Sequence, residues 1–300
     1  MNSDPLSLLA LEPLMAVSKG SSKISIGLID GPVDLYHPAF QESTINGIDG
    51  SQISACKNAT SIACRHGTFV TGILAAKRGV SAPGICPGCR VILRPIFTDD
   101  TLTNNKNRYK DIPFPTSTQD ELSEAIKEVV DAGAKIINLS LGSSTSSLIT
   151  NTRLEESYDY ARKSGTIIVA AAGNQGVMGN TSHLNSQWII PVAGCDEAGV
   201  LDQQSNFGAS IAYRGVMAPS TNITSTVSGE GFAKMSGTSF AAPFVTGTIA
   251  LLWSLFVNAT PMQLVHAIRS RPSKKNHRSV VPPLLNVAAV WHLLNSMVGH

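Results

Sequence analysis

The sequence predicts an α/β fold, with a mostly parallel sheet covered by helices on both faces. Three observations predict it. Apolar runs of strand length alternate with segments of helical periodicity, as successive strand–helix–strand crossovers require. Only 15% of the 300 residues are charged, against roughly 25% in an ordinary soluble domain, while 43% are hydrophobic and 25 are glycine. The residues best able to do chemistry fall after predicted strands, where open α/β sheets gather their ligands. Such a chain is long enough for one large core and too apolar to be disordered. Its 23 Lys+Arg against 21 Asp+Glu leave a net charge of +2, which supplies no broad electrostatic footprint for nucleic acid. We treat residues 1–300 as one domain, with a lead-in segment (1–22), a surface insertion (98–117) and a C-terminal helical extension (258–300).

The elements follow in order. Ile24–Ile29 alternates with small residues and predicts a buried strand ending at Asp30. Val91–Phe97 predicts a second strand. Between Thr98 and Ser117 the pattern lapses into a polar stretch with Asn104, Asn105, Pro113 and Pro115, longer than most connections in compact domains. Thr118-x-x-Glu121 is a capping box. It opens a helix whose Leu122, Ala125, Ile126, Val129 and Val130 share one face, and Gly133 suits a left-handed cap after it. Lys135–Leu141, Thr166–Ala171 and Gln187–Ala193 predict strands, and Glu155–Ser164 a helix. Phe240–Val257 approaches the length of a membrane span, but Pro243 in a predicted first turn makes it the start of a buried core helix. No membrane span is expected.

Five cysteines leave at least one unpaired. Cys56–Cys64 and Cys86–Cys89 are spaced for local disulfides, and reduced thiols explain them equally well. The lone CxxC of Cys86 and Cys89 has no second half at zinc-ribbon spacing, and no His pair stands at i, i+4, so no metal site is expected. Met1–Gly20 lacks the basic and apolar regions of a signal peptide. A cytoplasmic location is therefore favoured, with secretion left open.

Three residues carry the chemistry. Asp30 ends the first strand, His66 opens a small-residue helix in His66-Gly67-Thr68, and Ser239 opens the long buried helix in Gly237-Thr238-Ser239-Phe240-Ala241-Ala242-Pro243. Singly, each has an ordinary role in a turn or cap. Together they supply a nucleophile, a base and an orienting carboxylate. A serine hydroxyl is a poor nucleophile until an imidazole accepts its proton, and a carboxylate fixes the imidazole tautomer.

Gly237–Pro243 resembles the serine motif of the subtilisin-like serine proteases, and Ile29-Asp30-Gly31 and His66-Gly67-Thr68 resemble their Asp and His motifs. Ala171-Ala172-Gly173-Asn174 resembles the family's oxyanion segment, and Ser140-Leu141-Gly142 its substrate-binding strand. The resemblance implies a three-layer fold with about seven strands and a catalytic triad of Asp30, His66 and Ser239. It gives Asn174 the oxyanion role and lays the peptide substrate along Ser140, Leu141 and Gly142. It also implies an enzyme that needs no cofactor for catalysis. Many members carry an acidic calcium ligand after a His-Pro pair. Here Ala39 follows His37-Pro38, which puts that calcium site in doubt. About twenty residues precede the first strand, fewer than a family prodomain. A monomer is expected.

Asp30–Pro38, together with Cys89-Arg90 and Arg94–Phe97, is similar to the subtilases that mature cyanobactins and related ribosomal peptides. The macrocyclising type carries a large helical insertion between Asp and His. His66 stands only 36 positions after Asp30, so leader removal by hydrolysis is favoured over cyclisation. A peptide ligase and a non-enzymatic binder of precursor peptides stay as alternatives. The basic run Arg269, Arg271, Lys274, Lys275, His277 and Arg278 reads as a solvated loop, with attraction of an acidic leader as the second reading.

Overall fold

Every residue of strand β1 (Ser25–Asp30) is buried, because strands flank it on both edges and helices cover its faces. The computed structural model describes residues 4–48, 55–97, 117–141, 151–179, 184, 186–229, 231–270 and 279–298. Nearly all of the polar insertion, Gly142, and the basic positions from Arg271 to Arg278 lie outside these residues. Among the described residues β1 joins β2 (Thr44–Gly47), β3 (Arg90–Pro95), β4 (Ile136–Leu139), β5 (Ile167–Ala171), β6 (Ile189–Cys195) and β7 (Val216–Pro219). The seven form one sheet in the order β2-β3-β1-β4-β5-β6-β7, parallel throughout. This is the predicted fold class. A separate antiparallel hairpin pairs β8 (Ile223–Val227) with β9 (Gly231–Met235).

Helices α1 (Pro5–Leu8) and α2 (Glu12–Val17) precede the sheet, and α3 (Ile62–Ala75), α4 (Gln119–Asp131) and α5 (Thr152–Lys163) cross over it. They are followed by α6 (Ala209–Arg214), α7 (Thr238–Leu255), α8 (Pro261–Arg269) and α9 (Val287–Val298). One layer is built from α4 and α5, the other from α3 and α7. The capping box of α4 forms as predicted: Glu121 N–H donates to Thr118 Oγ1 at 3.1 Å, and Thr118 N–H donates to Glu121 Oε2 at 2.8 Å. The apolar face of α4 is buried. Gly133, at φ 86°, ends the helix with its N–H on the Val130 carbonyl and Ala134 N–H on that of Val129. This left-handed cap turns the chain directly into β4. Replacing fully buried Ile126 by alanine is expected to cost about 2–5 kcal/mol, measurable as a lower urea midpoint with an unchanged m-value.

Several elements depart from the sequence reading. The α5 helix starts at Thr152 rather than Glu155, because the Asn151 side chain accepts Leu154 N–H at 2.8 Å. The His66 helix opens a turn early, at Ile62, capped by Ser61 Oγ accepting Cys64 N–H. His66 is thus a second-turn residue. Pro243 is the sixth residue of α7, not a first-turn residue. The hairpin and the short strands β2 and β7 carried no clear periodic signal.

Two apolar segments sit in the core. Leu9, Leu11 and Leu14 of the N-terminal stretch are buried, and Arg78 holds that stretch by donating to the Met15 carbonyl at 2.9 Å. Helix α7 is the one described helix long and apolar enough to cross a membrane, and 89% of it is buried inside the protein. It packs against β4, β5, β6 and β7.

Candidate active site

Asp30 ends β1 at the carboxyl edge of the sheet and is fully buried. Its Oδ1 accepts Gly31 N–H at 2.6 Å and lies 2.7 Å from His66 Nδ1. A sealed carboxylate at that distance keeps the proton on Nδ1 and leaves Nε2 as the basic nitrogen. His66 and Ser239 keep 6% and 8% exposure, whereas Asp30 has none. Close backbone approach holds the pair. A Cβ on Gly31 would run into the Ala63 carbonyl, and one on Gly67 into the Gly31 and Pro32 carbonyls. Only glycine lets the Asp30 turn and the His66 helix meet.

Ser239 is the second residue of α7, and Gly237, at φ 150°, is the N-cap. The serine hydroxyl is therefore not spent on capping. The Phe240 ring packs on His66 with centroids 5.3 Å apart, which sets the start of α7 beside the imidazole. Of the N–H groups in this first turn, that of Thr238 goes to Asn174 and that of Phe240 to the Gly237 carbonyl, which leaves the Ser239 N–H as the donor at the helix N-terminus.

Asn174 follows β5 through Gly173 (φ 102°). Its Oδ1 accepts both Thr238 N–H, at 2.8 Å, and Thr238 Oγ1–H, at 3.0 Å. A backbone N–H can only donate, so the amide orientation is fixed. Its NH2 end then faces Gly237, next to Ser239. Asn206, buried to 1%, braces the same turn: its Oδ1 accepts the N–H groups of Gln175 and Val177, and its Nδ2 donates to the Ala172 carbonyl. Asn174→Ala is expected to lower kcat by about 10²–10³, with the melting temperature nearly unchanged, the scale known for the oxyanion amide of subtilisin.

Ser140 and Leu141 follow β4 and are buried, whereas Gly142 lies outside the described residues. Ser140 has a structural task that the sequence reading missed. Pro243 has no N–H to give the Ser239 carbonyl four residues back. Ser140 Oγ donates to that carbonyl instead, at 2.7 Å. Behind it, Asn138 Nδ2 donates to Ser140 Oγ at 2.7 Å, and Thr246 Oγ1 donates to Asn138 Oδ1 at 2.8 Å. A buried polar chain thus fixes the backbone of the serine turn.

The hairpin links the two halves of the site. On β8, Thr226 and Ser225 hydroxyls donate to the α3 carbonyls of Thr68 and Phe69, both at 2.8 Å, and β9 runs on into the Ser239 turn. Cys56 and Cys64 are disulfide-bonded, which fastens the preceding segment to α3 two residues before His66. Cys86 and Cys89 are buried free thiols. Ala39 is buried, and its carbonyl accepts Lys77 N–H at 2.8 Å.

This arrangement can be compared with known proteins. Residues 21–280 match the Subtilase family, peptidase S8. The chain belongs to the subtilase family. Among curated subtilases it is 34% identical over 243 residues to the thermophilic serine proteinase of Bacillus sp. (strain AK1), covering 79% of this chain and 54% of that protein. The chain therefore spans about half the length of that relative. It is 28% identical to thermitase of Thermoactinomyces vulgaris, covering 79% of this chain and 77% of that protein. Among solved structures, a mutant of the protease domain of PatA superposes with a TM-score of 0.80 at 29% identity, over 93% of this chain and 97% of that one. The prenylagaramide maturation protease PagA gives a TM-score of 0.79 at 27% identity, over 95% and 98%. A PatG macrocyclase in complex with peptide, at 19% identity and a TM-score of 0.77, shares the subtilase fold.

Proposed function

We propose that this chain is a serine endopeptidase that removes the leader from a ribosomally made precursor peptide. The observation that carries the catalytic part is the sealed Asp30–His66 pair, 2.7 Å apart, beside a serine turn to which Asn174 is locked through Thr238. Ser239 attacks the scissile carbonyl as His66 Nε2 takes its proton. The tetrahedral oxyanion is held by Asn174 Nδ2 and the Ser239 N–H, and the same imidazole then protonates the leaving amine. Water attacks the acyl-enzyme in the second half. The substrate lies extended beside Ser140, Leu141 and Gly142 and pairs as an added strand. Likeness to the PatA protease domain and to PagA, over nine-tenths of each chain, supports a precursor peptide as substrate.

Mass spectrometry of a precursor peptide incubated with the enzyme tests both parts. Two linear fragments whose summed mass exceeds the substrate by one water are expected. A cyclic product or one joined to an added amine would replace hydrolysis by acyl transfer to nitrogen. Binding with no cleavage would make the chain a peptide-binding module.

A further inference from the structure

One buried and one half-buried arginine spend their donors on the same short stretch of backbone, residues 184–189. Arg214, the last residue of α6, is 2% exposed. It donates through Nη1 to the Ser186 carbonyl and through Nη2 to the Leu184 carbonyl, the latter at 2.6 Å, with Ser210 Oγ accepting at 2.8 Å. Arg269, the last residue of α8, donates through Nη2 to the Gln187 and Ile189 carbonyls at 2.9 and 2.8 Å. Burial first, and neighbouring Arg214 second, hold the pKa of Arg269 down to about 10. Among the described residues neither guanidinium pairs with a carboxylate, and the adjoining stretches 180–185 and 271–278 contain no Asp or Glu.

Four carbonyl oxygens within six residues turn toward these arginines. Strand β7 leaves the start of β6 uncovered, since its pairing begins only at Val192, and the Ile189 carbonyl is taken by Arg269 instead. Clustered carbonyls of this kind make a cage that suits a hard cation. A guanidinium is a cation with five fixed donors and weak hydration, which fits it to such a cage in a buried place.

We propose that Arg214 and Arg269 are a tethered cation pair filling a carbonyl cage. They thereby position the return limb of the loop that leaves Asn174 and re-enters the sheet at β6. The limb matters to the site because β6 receives Ala172 N–H on its Val192 carbonyl at 2.9 Å, two residues before Asn174. Both arginines are positioning residues, since they act through backbone they hold. Emptying the cage of one guanidinium leaves oxygens that a free cation can occupy.

The test compares wild type with Arg214→Ala, Arg214→Met and Arg269→Ala by thermal melting. Each protein is melted in sodium chloride, potassium chloride, calcium chloride and millimolar guanidinium chloride, well below denaturing concentrations. Arg214→Ala is expected to melt lower by on the order of 10 °C, through two orphaned carbonyls. Guanidinium or one of the other cations then raises its melting temperature, and leaves wild type unmoved. Arg214→Met, which keeps the packing without the charge, is expected to stay low. For the peptide reaction, kcat should fall more than KM rises, because the limb reaches the site through Ala172 and Asn174, which act on the oxyanion and not on the extended substrate. Arg214→Met as stable as wild type would overturn the proposal, and so would a folded Arg214→Ala that no cation restores. Should Arg214→Ala not fold, half-buried Arg269→Ala carries the same comparison. Melting does not depend on peptidase activity, so a failed cage and a failed protease reading remain distinct.

Discussion

Replacing Ser239 by alanine is expected to lower kcat for peptide cleavage about a million-fold, the scale measured for the triad serine of subtilisin. The substitution removes one oxygen from a residue whose place is set by its backbone. The Ser239 carbonyl is held by Ser140, and Phe240 stays packed on His66. Melting temperature and peptide binding should therefore stay near wild type, so that the loss is chemical. A residual rate of about 10³–10⁴ over water is expected from the oxyanion donors and from binding. The comparison requires kcat, KM and a melting curve on the same preparations. A fall in kcat that merely tracked unfolding would remove Ser239 from the mechanism.

Asp30→Asn is expected to cost about 10⁴ in kcat at neutral pH. Asparagine keeps the shape of a residue sealed from solvent, and its Oδ1 can still accept Gly31 N–H. The same Oδ1 faces His66 Nδ1, so the bond to the imidazole survives, but the negative charge that stabilises the imidazolium formed in the reaction is gone. Proton transfer from the serine then creates an imidazolium with no compensating charge, and the barrier rises. Nitrogen-15 NMR of the His66 ring should show the proton still on Nδ1, together with the lost kcat. Unchanged activity would mean that Asp30 serves only to turn the chain after β1.

Much of the fold was legible because its signals are local. The capping box at Thr118 and Glu121, the apolar face of α4 and Gly133 each state their structure within a few residues. The strands β1, β4, β5 and β6 are apolar runs of ordinary length. By contrast, β7 and the hairpin were not legible, since three of the five residues of Ile223–Val227 bear hydroxyls and the strand bonds to α3, 156 and 158 positions earlier in the chain. The site shows the same division. Asp30, His66, Asn174 and Ser239 stand in recognisable short motifs, and the structure brings Asp30 onto His66 and Asn174 onto the residue before Ser239. The side chains that hold them in place gave no comparable signal. Asn206 lies 32 positions beyond Asn174, and Asn138 reaches Thr246 across 108. Each looks like an ordinary polar residue until the fold buries it.

Pro243 shows how a correct local rule can miss its purpose. A proline near a helix start is usually read as costing nothing. Here it stands inside α7, and its missing N–H opens the Ser239 carbonyl to Ser140. The low charge of the chain gains a similar meaning. Arg78, Arg214 and Arg269 spend their donors on backbone carbonyls and not on carboxylates, so few acids are needed to hold the interior together.

The most direct test of the account is labelling of the wild-type protein with a serine-directed fluorophosphonate, followed by peptide mapping of the adduct. One phosphonyl group per chain on Ser239 is expected, lost in Ser239→Ala and strongly slowed in Asp30→Asn. No adduct on the folded wild type, or an adduct on another residue, would contradict it.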